Sequence, residues 1–521
     1  MIDRLRRVPA SAWLLVLILL AFAIRLGSID FQSLWRDEID AAGFGPPNTR
    51  MGAVLAGGDL QQLAGALTQG GFNGPLYFIA LQQWTTLAGS TAFALRFPST
   101  FFGILALALI YLLMKRLFKR ATHLGDASRA GLLAAWLAAL SPYFVWYSQE
   151  AKMYTEIAAL ALAAVYGLRR AIDAPDGRRA WPWWALVIGA TTLAMYSHIL
   201  AALLIGVEVV LFGLWWPQAR RHPIGGLIAL AALTLPYAPL LKWQVDLAFT
   251  PGSQGFAFFR FDDMIRVLLS GFTNGVLPFD FSLGTIGIQW NPDAFRPELS
   301  PANWGTWLLS LLALLGVFMW KDATDRAPRI GLAAWAILPI AVVALISLNR
   351  PIFTDRYLIW IGPAVYLLAT LGLVQMWRWN RIAGGVAWVA VSVVMVIGDY
   401  AQAITPFKAD FRSAARYVQE RYQGEAILFQ IPYGQYTFDY YFEPPFQVIE
   451  GPYTNWPDRD ATSFDVEIAG LLSGQRAVWF VATEVEMWDN RYLLEEWLNR
   501  YGRVTDRADF MRVTALRYEL R

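Results

Sequence analysis

Apolar runs long enough to cross a bilayer recur along most of this chain, separated by short polar connections, and give way to mixed sequence near Tyr400. A spanning helix needs about 20 mostly apolar residues. Eleven segments fit: Val8 to Ile24, Phe97 to Met114, Ala130 to Gln149, Ala151 to Leu168, Trp181 to Tyr196, Ile199 to Trp216, Pro223 to Leu241, Pro301 to Trp320, Ile330 to Leu348, Tyr357 to Trp377 and Ile382 to Gly398. Past Tyr400 the period changes. "KADFRSAARYVQERY" and "NRYLLEEWLNRYG" carry helical spacing, whereas "EAILFQI", "FQVIEG" and "RAVWFVAT" read as short buried strands. The fold class this predicts is mainly α: a polytopic transmembrane helical bundle over residues 1–400, followed by a small α/β domain over 401–521. "FTPGSQGFAFFRF" reads as a mobile loop.

Charge orients the bundle. Lys and Arg gather in "MIDRLRR", "KRLFKR", "LRRAIDAPDGRR", "ARRHP", "KDATDRAPR" and "RWNR", and such clusters face the cytoplasm. A twelfth apolar stretch, Gly74 to Gly89, would put "KRLFKR" outside if it crossed the membrane; its modest length, two Gln and Trp84 predict an interfacial helix instead. Eleven crossings then place the amino terminus inside and the carboxyl terminus outside. The loops 25–95 and 242–300, the turns "YSQEAKMYT" and "YSHIL", the segment "NRPIFTDRY" and the α/β domain all fall on the outer side.

Composition agrees with a membrane protein: 56% of the 521 residues are hydrophobic, 24 are Trp and 16% are charged. The absence of Cys excludes disulfides, thiolate metal sites and cysteine nucleophiles. Most Trp lie near span ends, where they anchor the interface.

The outer segments collect candidate chemistry. "SLWRDEIDAAGFG" brings Asp37 and Glu38 beside Arg36; "SQEAKMYT" brings Glu150, Lys152 and Tyr154; "YSHIL" brings His198; "FTDRYL" brings Asp355, Arg356 and Tyr357. The Asp-Glu dipeptide alone reads equally as a solvated or mutually paired loop. As a set, these residues suit chemistry on a phosphorylated amphiphile: cations hold phosphate oxygens, and a carboxylate takes a proton from an attacking hydroxyl. Glu208, inside a span, is a functional candidate by position, but its depth favours a hydrogen bond to a neighbouring helix. Asp262 and Asp263 read equally as acceptor contacts or as a solvated helix start. His198 reads equally as a ligand or as a capping residue.

"LWRDEIDAA", "NGPLYFIALQQW", "ALRFPSTFFGILALALIYLLMKRLF", "SPYFVWYSQEAKMYT" and "DRYLIWIGPAVYLL" occur in an order and spacing that resembles the GT-C type membrane glycosyltransferases, in the branch of protein O-mannosyltransferases and aminoarabinose transferases. The resemblance covers Trp13 to Asp399. It implies transfer of a sugar from a polyprenyl-phosphate donor to a lipid, glycan or protein acceptor at the outer face of a bacterial plasma membrane, with inversion. It also implies that Asp37 and Glu38 are catalytic, Asp37 as general base or acceptor-orienting carboxylate and Glu38 as its helper or as a metal ligand. Glu150, Lys152, Tyr154, His198, Arg356 and Tyr357 become substrate-binding residues, with Arg356 the foremost phosphate ligand. Two departures stand out. Lys152 replaces the usual Arg and loses the bidentate fork, and Asn73-Gly74-Pro75 stands where His-Pro-Pro is common, removing a candidate metal ligand. The cofactor is left unknown: Glu38, Glu150 and His198 offer oxygen and nitrogen ligands for a divalent metal, without an Asp-x-Asp pair to mark a site. Nucleic acid is not an expected partner. A lipid or glycan transporter is the alternative reading, although neither internal repeats nor a midplane site is visible.

Overall fold

The computed structural model describes residues 8–45, 73–119, 126–249, 257–275, 281–282, 285–286, 304–319, 323–456 and 460–521. Most of "FTPGSQGFAFFRF", and most of the loop 242–300 beyond Gly275, lie outside the described residues. The chain forms two compact units, one drawn from Met1–Ser28, Leu63–Ala80 and Arg96–Ile404, the other from Ile29–Gln62, Leu81–Leu95 and Thr405–Arg521.

The first unit is helical, and each of the eleven predicted segments carries helix in its described residues. Six helices are long and apolar enough to cross a membrane: Ala10–Gly27, Ala92–Leu117, Pro223–Leu241, Asp325–Ser347, Asp355–Trp379 and Arg381–Ile404. Eighteen residues at 1.5 Å rise give the first a length of about 27 Å. Ile199–Leu214 and Trp304–Phe318 are apolar but shorter. Gly74 to Gly89 forms the 14-residue helix Pro75–Ala88.

One expectation needs correction. Ala130 to Gln149 is not one straight helix but two, Ala127–Ala139 and Pro142–Ser148, bent by 65°. Pro142 lacks an amide hydrogen and drives Ser141 out of the helical region, to ψ 114. The Ser141 hydroxyl then caps the second helix, accepting from the Phe144 amide. The break strands carbonyls in an apolar surrounding, and Arg25 takes them. Its guanidinium, fully buried, donates to Ala139 O at 3.2 Å, Ala138 O at 3.5 Å and the Ser148 hydroxyl at 3.1 Å.

Helices Trp304–Phe318 and Gly362–Trp379 meet through glycines. A Cβ at Gly316 would lie 2.0 Å from Leu368 O, and one at Gly372 would lie 2.0 Å from Leu312 O. The buried Glu208 finds its partner on the neighbouring helix, accepting from Thr191 Oγ1 at 2.5 Å. Asp262 and Asp263 sit in the first turn of Phe261–Asn274, where both pair with Arg266.

The second unit is built on a five-stranded sheet with strands β1 (Ala426–Phe429), β2 (Val448–Glu450), β3 (Ala477–Ala482), β4 (Gly502–Phe510) and β5 (Val513–Leu520), in the order β2-β1-β3-β5-β4. The first three are parallel, and β5 and β4 add antiparallel. The period of 2 sends Leu428, Val478 and Phe480 to one face, against Phe464, Ile468, Leu494 and Leu498. Ile427, Phe429, Trp479 and Val481 go to the other, against Phe411, Ala415, Val418 and Phe438. Phe438 and Phe442 of "TFDYYFEPPF" thus belong to this unit's own core. Strands β4 and β5 went unread in the sequence.

Candidate active site

The bend at Pro142 delivers the segment from Gln149 to Met153 between two helices, and hydroxyls of helix Ala92–Leu117 pin its backbone. Ser99 Oγ donates to Lys152 O at 2.9 Å, Thr100 Oγ1 donates to Ser148 O at 2.6 Å, and Thr155 Oγ1 donates to Ser99 O at 2.7 Å. Tyr77, on helix Pro75–Ala88, shares a hydrogen bond with the Ser99 hydroxyl at 3.0 Å. Glu150, Lys152 and Tyr154 are all buried, Lys152 to 3% exposure. The Lys152 ammonium lies 5.2 Å from the centre of the Phe78 ring, and among the described residues no carboxylate stands within ion-pair distance of it. Tyr154 joins a file of rings with Tyr147 and Tyr143, at 5.0 and 4.7 Å.

His198 closes the other side of this cluster, in the turn after helix Gly177–Ser197 and outside the apolar runs. Its Nδ1 accepts from the Leu200 amide at 3.2 Å, so the neutral ring carries its proton on Nε2. Burial pushes its pKa down to about 3, and the positive charges of Arg356 and Lys152 push the same way. Its ring lies 4.3 Å from that of Tyr357, the third residue of the run Asp355–Ile361. Capping is therefore an observed role of His198. The chain before helix Pro75–Ala88 docks on the same turn. Asn73 pairs with His198 in an isolated β-bridge, and the Gly74 amide donates to Ser197 O at 2.9 Å. A Cβ at Gly74 would fall 1.9 Å from Tyr196 O, so only glycine allows this approach.

The first unit thus brings Glu150, Lys152, Tyr154, His198, Arg356 and Tyr357 to one set of helix ends. Asp355 accepts from the Thr354 hydroxyl at 3.3 Å and acts electrostatically on Tyr143 and Tyr147.

Asp37 and Glu38 belong to the second unit, in the seven-residue helix Arg36–Ala42. Glu38 is fully buried and accepts from Lys408 Nζ at 2.8 Å, in an ion pair whose lysine is itself 2% exposed. Asp37 is half-buried. Arg36 pairs with Asp40 at 3.6 Å and lies 3.9 Å over the Tyr433 ring. Among the described residues no group of three His, Asp or Glu side chains could hold a metal ion.

Three polar residues escaped the sequence reading. Lys408 is the partner of Glu38. Arg25 holds the broken helix. Glu156, 8% exposed in the first turn of Tyr154–Ile172, has a carboxylate oxygen, Oε2, without a hydrogen-bond partner among the described residues. An acid two residues after Tyr154 in an apolar run was the available signal.

Comparison with known proteins adds three findings. Residues 73–243 match the family described as dolichyl-phosphate-mannose-protein mannosyltransferase. The structure of ArnT from Cupriavidus metallidurans bound to undecaprenyl phosphate shares the fold, with a TM-score of 0.59 at 13% identity and 98% of each chain covered. The Archaeoglobus fulgidus oligosaccharyltransferase in complex with Zn and sulfate gives 0.52 at 12% identity, covering 94% of this chain and 71% of that one. No curated protein sequence matches the chain.

Proposed function

We propose that this chain is a membrane glycosyltransferase of the GT-C type, which moves a sugar from a polyprenyl-phosphate donor to an acceptor hydroxyl at the outer face of a bacterial plasma membrane. Lys152 and Arg356 hold the donor phosphate, and the neutral His198 donates its Nε2 hydrogen to a phosphate oxygen. Asp37 takes the acceptor proton as the acceptor oxygen bonds the anomeric carbon and the bond from that carbon to the phosphate oxygen breaks. The lipid phosphate leaves with the electron pair, its charge met by the two cations, and the anomeric configuration inverts. Glu150, Tyr154 and Tyr357 line the donor side. The acceptor is a lipid, glycan or protein hydroxyl.

The observation that carries this reading is Lys152. A buried ammonium without a carboxylate partner is costly unless an anion meets it, and a lipid phosphate supplies one. The family matched over residues 73–243 is described by a dolichyl-phosphate-mannose donor, and ArnT was solved with undecaprenyl phosphate. Both support a lipid-phosphate ligand for this chain.

Purified protein incubated with undecaprenyl-phosphate hexoses and a panel of acceptors tests the proposal. Asp37→Asn should lose about 10²- to 10⁴-fold in rate, the usual contribution of a general base. Transfer by that variant at the wild-type rate removes Asp37 as the base, and no transfer from any donor moves the reading to lipid or glycan transport. Orientation has its own test: in this cysteine-free chain, a single Cys at Gly89 should label from outside and one at Lys119 only from inside.

A further inference from the structure

Helix Arg36–Ala42 is too short to hold itself in place, since isolated helices below about 12–15 residues are marginal in water. Its flanks are held by residues almost 400 positions later in the chain. On one flank the Glu38 carboxylate meets Lys408 Nζ at 2.8 Å, both groups buried, with the ammonium 5.1 Å from the Trp35 ring. On the other flank the Arg36 guanidinium lies 3.9 Å over Tyr433. The Tyr433 hydroxyl donates to Glu484 Oε2 at 2.8 Å, and Arg512 Nη2 reaches Glu484 Oε1 at 3.2 Å. Successive residues on a helix are turned by about 100°, so Arg36 and Glu38 flank Asp37 on either side.

The place where these partners sit follows from the sheet. Tyr433 follows β1, and Glu484 follows β3. The strand order β2-β1-β3 sends the chain in opposite directions from β1, and the crevice outside the carboxyl ends of such a strand pair is where parallel sheets receive ligands. Here helix Gly434–Asp439 at that end packs on helix Arg36–Ala42. The Leu34 amide donates to Tyr441 Oη at 2.7 Å, and Gln32 accepts from the amides of Phe407 and Lys408. Glu484 and Arg512 both hold left-handed backbone angles, φ 47 and 55. Non-glycine residues keep such angles only where their surroundings enforce them.

We infer that the carboxyl-terminal α/β domain positions Asp37, with Glu38–Lys408 and Arg36–Tyr433–Glu484–Arg512 as two clamps on its helix. Glu38 is then a positioning residue and not a reacting group. The inference rests on the proposal that Asp37 is the base.

The test uses the full-length protein in detergent, with hydrogen exchange and transfer from undecaprenyl-phosphate hexoses measured side by side. Lys408→Met should speed exchange at Arg36–Ala42 by about tenfold or more while β1 and β3 stay protected. Turnover should fall by about tenfold or more with the donor KM within about twofold of wild type, the split expected when a reacting group loses its aim. The charge swap Glu38→Lys with Lys408→Glu should recover most of both. Tyr433→Leu should act like Lys408→Met, whereas Tyr433→Phe, which keeps the ring under Arg36, should act mildly. Wild-type turnover in Lys408→Met and Tyr433→Leu overturns the inference, as does a swap that restores protection but not turnover, because Glu38 would then be reacting itself. If Lys408→Met also exposes β1 and β3, the Tyr433 pair decides alone. Asp37→Asn run in parallel keeps the two ideas apart: a fully active Asp37→Asn sinks the base assignment, whereas an inactive one beside active clamp variants sinks only the clamp.

Discussion

Replacing Lys152 by Met should make the lipid-free protein more stable and its lipid complex weaker. Lys152 is 3% exposed, and its ammonium lies 5.2 Å from the centre of the Phe78 ring, a contact worth about 0.5–2 kcal/mol. Desolvating an ammonium costs several kcal/mol, so the ring leaves a deficit. Met has a similar length and no charge, and exchanging a poorly compensated buried ion for a packed apolar side chain is worth about 1–2 kcal/mol here. In the complex the sign reverses. Losing one charge-assisted bond to phosphate costs about 1.5–3 kcal/mol, which weakens the affinity about 10- to 150-fold. Thermal unfolding in detergent with and without undecaprenyl phosphate reads both effects. Lipid at 100 times Kd stabilises the wild type by about 2.7 kcal/mol, and a 100-fold weaker variant at the same concentration gains only about 0.4 kcal/mol. Lys152→Arg should keep the lipid response. A Met variant that is less stable than wild type and shifts equally with lipid would refute the reasoning, because the ammonium would then be held by the protein and not by the ligand.

Acid should destabilise the protein through His198: below pH 6.5 the unfolded chain takes up a proton that the folded ring refuses until about pH 3, so stability falls across that window. The loss is about 2 kcal/mol at pH 5, and His198→Asn, which keeps the cap without titrating, should flatten the difference between unfolding midpoints at pH 7 and 5. Gly74→Ala must open the bridge to the His198 turn, since its Cβ would meet backbone at 1.9 Å; transfer should fall about 100-fold, as displacements near 1 Å do, and wild-type kinetics would show the approach to be dispensable. Thr191→Val leaves the buried Glu208 without its 2.5 Å donor and should cost about 1–3 kcal/mol. Pairing it with Glu208→Leu should recover most of that loss in chemical denaturation.

The sequence disclosed the helices because their signal is local and long, and each of the eleven runs carries helix in its described residues. Glu208 was legible for a related reason: a carboxyl in an apolar run has few affordable fates, and a bond to the next helix is the cheapest. Strands β4 and β5 were not legible. "GRVTDRADF" lies at the sheet edge, so its alternation is polar on both faces and resembles a solvated loop. The role of Glu38 was also hidden, because its partner is 370 residues away and no local pattern marks Lys408.

Buried cations divide by who satisfies them, and that division points to the site. Arg25 spends its donors on Ser148, Ala21, Ala138 and Ala139, mending a helix that Ser141 and Pro142 had to break. Arg329 reaches Gly316 O and lies 3.8 Å from Asp325, binding two helices together. Lys408 has Glu38. In each case a group of the protein compensates the charge, and the cation belongs to the architecture. Lys152 has a ring face and the neighbourhood of a histidine kept neutral partly by Lys152 itself. A second cation, Arg356, acts on the same histidine. In the proposed function a phosphate meets the Lys152 charge, so on that reading the ammonium that costs the empty protein stability strengthens its complex with the lipid.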